Sequence, residues 1–291
     1  ITVDYNGCDY NGDLSDPMFV NSLPDVDTVI HLAAFNSTKN FYSTPFSVID
    51  SIVTPTMNLL KRYPHAHFVY AGSSEEYAGT VNRGWASVPT PEDVALSIDD
   101  ITNPRWCYAS GKIAMESAVI SHSAQYSNTY TILRFHNIYG PGQENHFIPE
   151  FIDRLHEGNS VLYGWEDTRS FCYIDDAVKG TVGAMESANH SNNIYHIGND
   201  QEISMEELTK FIGSILEYEG SYENAMTYPG SVSRRCPNIA KAVSNFGYEP
   251  EVLWKDAVFK TVNWYKSFFE SGLKPSIGGF EPPENILASK C

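Results

Sequence analysis

The sequence predicts an α/β protein whose core is a doubly wound, mostly parallel sheet. Short apolar runs rich in β-branched and aromatic residues alternate with stretches long enough for crossover helices, which is the pattern of repeated βαβ units. Helices in such units cover both faces of the sheet. We predict buried strands at 29–32, 68–71, 130–135 and 194–197, and crossover helices at 45–62, 108–126 and 175–188.

The character of the sequence changes after about residue 142. Segments 147–157, 204–218 and 251–270 have the apolar spacing of amphipathic helices, and Ser204 followed by Glu207 has the pattern of a capping box. These helices predict a second, smaller lobe. We expect a sheet domain formed by 1–142 with about 169–200, a mainly helical lobe formed by 143–168 with about 201–280, and an irregular tail at 281–291.

The charge balance and the cysteines exclude several classes of function. The chain has 291 residues with 19 Lys and Arg against 36 Asp and Glu, and its formal charge of −17 repels nucleic acids and anionic membranes. No apolar stretch has membrane-spanning length, and the first residues lack the basic and apolar regions of a signal peptide. Five scattered cysteines without a C-x-x-C pattern fit a reducing compartment. We expect a cytoplasmic protein that binds no metal, no nucleic acid and no membrane.

The chemistry is expected in the loops that follow the predicted strands, because ligands of open α/β sheets bind beyond the carboxyl ends of strands. Tyr108 and Lys112 lie at i,i+4 on one helix face, so the ammonium can stabilise the phenolate and make Tyr108 a usable acid or base. Ser73 and Glu75 open at the same sheet edge and could assist. Taken alone, these residues also fit a helix-surface pair and a solvated loop.

Six motifs in order give the chain a more specific resemblance. HLAA (31–34), AGSSEEYAG (71–79), YASGK (108–112), RFHNIYGPG (134–142), RSFCYIDDAV (169–178) and RRCPNIAKA (234–242) together resemble the extended short-chain dehydrogenase/reductase family. Within it they resemble the NAD-dependent nucleotide-sugar epimerases, dehydratases and decarboxylases, over about residues 10–267. The resemblance implies a Rossmann-type NAD-binding domain, a nucleotide-sugar-binding lobe, and a homodimer joined through helices 45–62 and 108–126.

The resemblance implies catalytic roles for five residues. Tyr108 matches the catalytic base, and Lys112 matches the lysine that also holds the nicotinamide ribose of NAD. Ser73 matches the hydroxyl residue that orients the sugar. Ser74 and Glu75 match a pair that does further acid/base work in the dehydratases and decarboxylases.

Binding roles follow from the same resemblance. Asn137 and Arg169 match contacts to the substrate diphosphate and nucleoside. Arg235 falls where the decarboxylases carry an arginine near the reacting sugar, although Arg234 and Arg235 fit surface salt bridges equally well. The cofactor contacts match an acid near the adenine, a backbone segment alongside NAD and an aromatic residue facing it: Asp13, Leu32, Ala33, Ala34 and Phe135.

The chain departs from the family pattern in several places. It contains no G-x-x-G-x-x-G or G-x-G-x-x-G sequence, and the length of a first βα unit is missing before Ile1. We expect that unit in a longer form of the protein; the alternative is a natural truncation with impaired cofactor binding. Ile52 and Pro55 stand where the family usually has Asn and Gly, which predicts a rearranged helix, and Glu76 replaces an apolar residue.

These observations predict an NAD-dependent enzyme that acts on a nucleoside-diphosphate sugar through a transient 4-keto intermediate. Return of hydride to the other face gives 4-epimerisation, whereas loss of water after Glu75 removes the C5 proton gives 4,6-dehydration. A UDP-glucuronate-type decarboxylase is the alternative within the family, which Arg235 and the Asn-Pro-Arg-Trp sequence at 103–106 favour. A Rossmann-fold binding protein that has lost catalysis is the alternative of another class. A reductase of small carbonyl compounds leaves the second lobe unexplained.

Overall fold

The computed structural model describes residues 1–144, 146–187, 192–225 and 232–271, so the predicted tail at 281–291 lies outside the described residues. As far as residue 126, single strands or pairs of strands are followed by one or two helices. In order, they are β1 (Val3–Asp4), β2 (Tyr10–Asn11), α1 (Pro17–Ser22), β3 (Thr28–His31), α2 (Thr38–Ser43), α3 (Pro45–Arg62), β4 (His67–Ser73), α4 (Ala78–Asn82) and α5 (Cys107–Tyr126).

The long connection between β4 and α5 also contains two 3₁₀ turns, Ser74–Tyr77 and Pro104–Trp106. The elements after residue 126 complete the main sheet and form the second lobe. The later elements are β5 (Tyr130–Phe135), β6 (Ile138–Tyr139), α6 (Phe147–His156), β7 (Val161–Tyr163), β8 (Thr168–Ser170), β9 (Cys172–Tyr173), α7 (Ile174–Glu186), β10 (Asn193–Ile197), β11 (Glu202–Ser204), α8 (Met205–Ile215), β12 (Glu223–Ala225), β13 (Arg234–Arg235), α9 (Ala240–Phe246) and α10 (Trp254–Glu270).

The main sheet consists of parallel strands in the order β10, β5, β4, β3. Side chains of β4 and β5 alternate between its faces. Phe68 and Ile132 pack with α3 and α5 on one face, and Val69 and Leu133 pack with α7 and α9 on the other. Helices therefore cover both faces, and the predicted doubly wound α/β fold is confirmed.

Helix α3 runs without interruption through Ile52 and Pro55, so the substitutions at these two positions do not break it. A proline inside a helix removes one backbone hydrogen bond and favours a kink. Here Ile52 is buried against Gly111 of α5, where an added Cβ would approach the Ile52 side chain to 3.2 Å. Thr56 also donates its hydroxyl to the Ile52 carbonyl at 2.6 Å. Packing against α5 supports the helix on either side of the proline.

The second lobe is built around α6, α8 and α10, whose apolar sides pack on one another. The Ser204 hydroxyl accepts the Glu207 N–H at 3.0 Å at the start of α8, which is the cap that the sequence predicts. Short strands accompany these helices: β7 pairs with β12, and β8 pairs with both β11 and β13. The β8–β13 pair sets Arg235 beside Arg169 at the sheet domain's edge.

Two kinds of feature, membrane-spanning helices and metal-binding clusters, are absent from the residues that the structure describes. No helix among them is both long and apolar enough to cross a membrane. They also contain no group of three or more His, Cys, Asp or Glu side chains arranged to hold a metal ion. The cysteines in these ranges are free thiols: Cys8, Cys107, Cys172 and Cys236.

Candidate active site

The turn after β4 positions the residues that follow the central strand. Ser73 ends β4 and caps the 3₁₀ turn: its hydroxyl accepts the Glu75 N–H at 3.2 Å, and the Glu76 carboxylate accepts the Ser73 N–H at 2.8 Å. This reciprocal cap fixes where the side chains point. Ser73, Ser74 and Glu75 face a cavity above the sheet edge, whereas Glu76 is fully buried behind it.

The first turn of α5 carries the predicted acid/base pair. The Asn103 side chain caps the 3₁₀ turn that leads directly into α5, accepting the Arg105 N–H at 3.0 Å. One turn apart on α5, Tyr108 and Lys112 are both buried at the base of the cavity. Lys112 Nζ donates to the Ala71 carbonyl at 2.7 Å and lies 5.7 Å from the centre of the Tyr108 ring. Strand β4 therefore fixes the ammonium beside the phenol.

Burial dominates the electrostatics of this pair. It raises the pKa of Tyr108 above its ordinary value, although a hydrogen bond with Ser73 acts in the opposite direction. It lowers the pKa of Lys112 to about 8, against the attraction of Glu76. The phenol is protonated at neutral pH and needs additional positive charge nearby before it can serve as a base.

Glu75 lies between two arginines in the cavity wall. Its carboxylate accepts from Arg235 at 2.8 Å and from Arg105 at 3.4 Å. Burial alone would raise the pKa of Glu75, but the attraction of Arg235, then of Arg105 and more distantly of Arg169, outweighs it and lowers that pKa. Glu75 is therefore ionised, and the two guanidinium groups that bind it exceed its single negative charge.

The predicted cofactor and substrate contacts do not all reach the cavity wall. Phe135 and Asn137 line it, and Asn137 has a backbone φ of +40°, in the left-handed region that Asn tolerates better than most residues. Arg169 is not part of the wall, because its guanidinium turns to Asp167 at 3.1 Å. Burial, followed by the repulsion of Arg235, lowers the pKa of Arg169 to about 10.

Two cavities meet along the loop after β3. The first has a volume of about 580 Å³ and lies over Tyr108, and the second has a volume of about 600 Å³ and lies toward the N-terminal strands. Leu32 and Ala34 line both, and Ala33 and Asp13 line the second. The structure thus brings every predicted site residue except Arg169 to the wall of one continuous groove.

The comparisons with known proteins agree with this geometry. Residues 6–198 match the NAD dependent epimerase/dehydratase family. The chain belongs to this family. NAD is accordingly its cofactor, and the predicted family, enzyme class and cofactor are confirmed.

Relatives of the chain in this family carry different names. A putative UDP-glucose 4-epimerase of Methanocaldococcus jannaschii is 30% identical, over 84% of this chain and 78% of the relative. A UDP-N-acetyl-alpha-D-glucosaminuronate decarboxylase of Bacillus cytotoxicus is 28% identical, over 82% and 77%. The crystal structure of DesIV, a dTDP-glucose 4,6-dehydratase of Streptomyces venezuelae, superposes with a TM-score of 0.80 at 24% identity, over 91% and 81%, and supports the fold.

The groove fits NAD at both of its ends. At the inner end, Tyr108 and Lys112 are the residues that would hold the nicotinamide ribose. At the outer end, the Asp13 carboxylate would accept hydrogen bonds from the adenosine, and loop 32–34 would run alongside the cofactor between them. The glycine-rich turn that binds a pyrophosphate in Rossmann-type folds is not in the sequence, so that contact does not come from these residues.

Sequence reasoning missed two sets of residues at this site. Arg105 reaches Glu75 because the capped 3₁₀ turn sets it three positions before Tyr108; the Asn-Pro-Arg-Trp sequence was the available signal. Glu76, Glu116 and Arg134 form a buried cluster directly behind Ser73. A glutamate in place of an apolar residue at position 76 was the signal for that cluster.

Proposed function

We propose that the chain oxidises the C4 hydroxyl of a nucleoside-diphosphate sugar and reduces the 4-keto group in the same turnover, with 4-epimerisation as the net reaction. The convergence of Ser73, Tyr108 and Lys112 at the base of the groove carries this proposal. The similarity to the archaeal epimerase supports it. We further propose that the sheet domain binds NAD and that the second lobe binds the nucleotide.

The proton steps follow from the geometry of three residues. Tyr108 takes the proton of the sugar C4 hydroxyl and gives a proton back to O4 when the keto group is reduced. Ser73, which shares a hydrogen bond with Tyr108, orients the same sugar oxygen. The Lys112 ammonium stabilises the phenolate. NAD held by Tyr108 and Lys112 would supply hydride transfer at C4 and the positive charge that Tyr108 needs.

The pair of Ser74 and Glu75 favours epimerisation over dehydration. Loss of water from the sugar requires a base for the C5 proton and a separate proton donor for the departing hydroxide. Glu75, ionised between Arg235 and Arg105, can serve as the base, but the Ser74 hydroxyl is a poor acid. Epimerisation needs only Tyr108, Ser73 and Lys112, together with a turn of the keto sugar.

Decarboxylation is the second candidate, and the excess of arginines favours it. A sugar with a C5 carboxylate would meet the positive charge of Arg235, which lines the groove, and of Arg105, which also binds Glu75, against the single carboxylate of Glu75. Once C4 is a ketone, the C5–C6 bond can break: carbon dioxide leaves, its electron pair moves into the keto group, and a proton then returns to C5. Such a reaction also needs no acid for a leaving hydroxide.

A panel of UDP-, GDP-, dTDP- and CDP-sugars, including uronic acids, tests the proposal with the full-length protein. Each substrate carries deuterium at C4, and the product is analysed by mass spectrometry and NMR. Epimerisation predicts an unchanged mass with deuterium still at C4. Loss of carbon dioxide selects the second candidate, and loss of water would contradict our interpretation of Glu75. No turnover of any sugar and no binding of NAD would support a binding protein instead.

The assembly and location are proposals as well. We propose a cytoplasmic homodimer joined through α3 and α5, where Ile49 and Ile120 are exposed apolar residues. Light scattering of the purified protein, with Ile49→Asp and Ile120→Asp as variants, tests the dimer. A mass of two chains that falls to one in the variants is expected, and a monomeric wild-type protein would contradict it.

A further inference from the structure

Glu76 is a carboxyl group inside the protein with an unusual set of neighbours. Its residue exposure is 0%. One oxygen, Oε1, accepts the Ser73 N–H at 2.8 Å. The other, Oε2, has no hydrogen-bond donor among the described residues, and Arg134 Nε lies 3.3 Å away in an ion pair without hydrogen-bond geometry. The carboxyl thus has one satisfied oxygen and one that lacks a donor.

Arg134 is already engaged by another carboxylate. Its Nε and Nη2 donate to Glu116 at 3.2 and 2.6 Å, and its Nη1 donates to the Glu92 carbonyl at 2.7 Å. The Arg134 and Glu116 side chains are each 3% exposed and form a neutral, bidentate pair. An ionised Glu76 would add a second negative charge to this pair in the interior. An uncompensated buried charge is strongly unfavourable, and a group in that position takes up a proton instead.

We propose that Glu76 is protonated, that its proton bridges to Glu116, and that the neutral Glu76 is a positioning residue that holds Ser73 under Tyr108. A proton on Oε2 gives this oxygen the hydrogen bond it lacks, with Glu116 as acceptor. Glu116 follows Lys112 by one turn on α5, so the shared proton joins the turn after β4 to the helix that carries Tyr108 and Lys112.

The environment of Glu76 supports a neutral carboxyl. Burial raises its pKa well above the ordinary value, the hydrogen bond and negative charge of Glu116 raise it further, and Arg134 and the Ser73 N–H oppose this only in part. Glu76 interacts electrostatically with groups on three neighbouring elements and with one on its own turn. These groups are Tyr70 on β4, Tyr77 on the same 3₁₀ turn, Tyr108, Lys112 and Glu116 on α5, and Arg134 on β5.

Neutrality at Glu76 matters for the reaction because negative charge there acts on Tyr108. An ionised Glu76 raises the pKa of Tyr108 and makes the phenolate harder to form. The protonated form keeps the Ser73 N–H hydrogen bond and removes this effect on Tyr108, while Lys112 loses the attraction of a negative Glu76. This part of the inference rests on the proposed function; the protonation of Glu76 does not.

Infrared difference spectroscopy tests the proton directly. Wild-type protein minus Glu76→Gln, at neutral pH, is expected to show the carbonyl stretch of a protonated carboxylic acid, with a shift to lower frequency in D₂O. Glu75→Gln is the matched control, because Glu75 is ionised, and its difference spectrum should show only carboxylate bands. Carboxylate bands alone in the Glu76 difference spectrum would overturn the proposal.

The pH dependence of kcat/KM tests the positioning role, since Gln mimics a protonated Glu. Glu76→Gln keeps an acceptor for Ser73 and a donor for Glu116, so we expect kcat/KM within about threefold of wild type and an unmoved acidic limb. Glu76→Leu loses both groups, and kcat should fall roughly 10- to 100-fold with little change in KM. An acidic limb shifted to lower pH in Glu76→Gln would mean that Glu76 is ionised in the wild type. If neither the wild type nor the variants turn over a sugar nucleotide, the proposed function fails. The infrared result still shows whether Glu76 is protonated.

Discussion

The two faces of the 3₁₀ turn Ser74–Tyr77 hold adjacent carboxyl groups in opposite environments. Glu75 faces the groove, where Arg235 and Arg105 lower its pKa. Glu76 faces the interior, where burial and Glu116 raise its pKa. One step along the chain separates an ionised group from a neutral one. The partners supplied by distant elements, and not the local sequence, therefore decide which carboxyl group is available to substrate.

The arginines near this turn also divide between its two faces. Arg134 lies on the interior face, where it donates to Glu116 and to the Glu92 carbonyl. Arg235 lies on the groove face and binds Glu75, which is 160 residues away in the sequence. We therefore expect substitutions on the interior face to change the free energy of unfolding and substitutions on the groove face to change turnover.

Arg134→Leu should have the largest effect on stability. It leaves the Glu116 carboxylate in the interior without its cation, and breaking a buried ion pair on one side costs about 3–5 kcal/mol. Urea unfolding followed by circular dichroism measures the change. Arg235→Leu is the matched control and should cost less, about 1.5–3 kcal/mol, because Glu75 keeps Arg105 as a second cation. Equal losses in the two variants would break the comparison.

Arg235→Gln should have a large effect on turnover with little effect on folding. A charged hydrogen bond contributes about 1.5–3 kcal/mol, so we expect kcat/KM to fall roughly 10- to 100-fold. The fall should be greater for a uronic acid substrate than for a neutral sugar, since the arginine would bind the extra carboxylate. Initial rates on both substrates measure the difference, and unchanged rates would remove Arg235 from the site.

Buried histidines should determine how the free energy of unfolding depends on pH. Burial lowers the pKa of His196, which lies close to Arg134, and of His31 to about 3. The unfolded chain binds protons at both near pH 6.5, so stability is fully present above that pH and falls as the pH drops from about 6.5 toward 3, by roughly 1.4 kcal/mol per pH unit per histidine. Thermal melts across this range should show the slope. The slope should flatten in His196→Asn and not in His65→Asn, a substitution at an exposed position.

Arg234→Ala should have the smallest effect. Arg234 precedes Arg235 in β13, but its side chain is 54% exposed and pairs with Glu202 on the surface. Exposed ion pairs contribute about 0.2–1 kcal/mol, so stability should fall by less than 1 kcal/mol and turnover should stay unchanged. The same unfolding and rate measurements apply. A loss of turnover equal to that of Arg235→Gln would show that Arg234 also acts at the active site, although its side chain points to the opposite side of β13.

The sequence predicted those features that depend on local periodicity and spacing. The helix predicted at 45–62 is observed as Pro45–Arg62, and Tyr108 with Lys112 lies on one face of α5, as i,i+4 spacing requires. The environment of Glu76 was not predictable, because its partners Glu116 and Arg134 come from other elements. Short strands such as β13 were missed for a related reason: two residues are too few to show a period.

The most direct test of the account is the rate of product formation by Tyr108→Phe on a substrate that the wild type turns over. Phenylalanine keeps the buried ring and removes the acid/base hydroxyl. We predict a loss of about 10²- to 10⁴-fold in kcat with an unchanged urea midpoint. Tyr77→Phe is the control on the interior face: its hydroxyl is bonded to His136, so stability should fall and turnover should not. Turnover by Tyr108→Phe equal to that of the wild type would contradict the account.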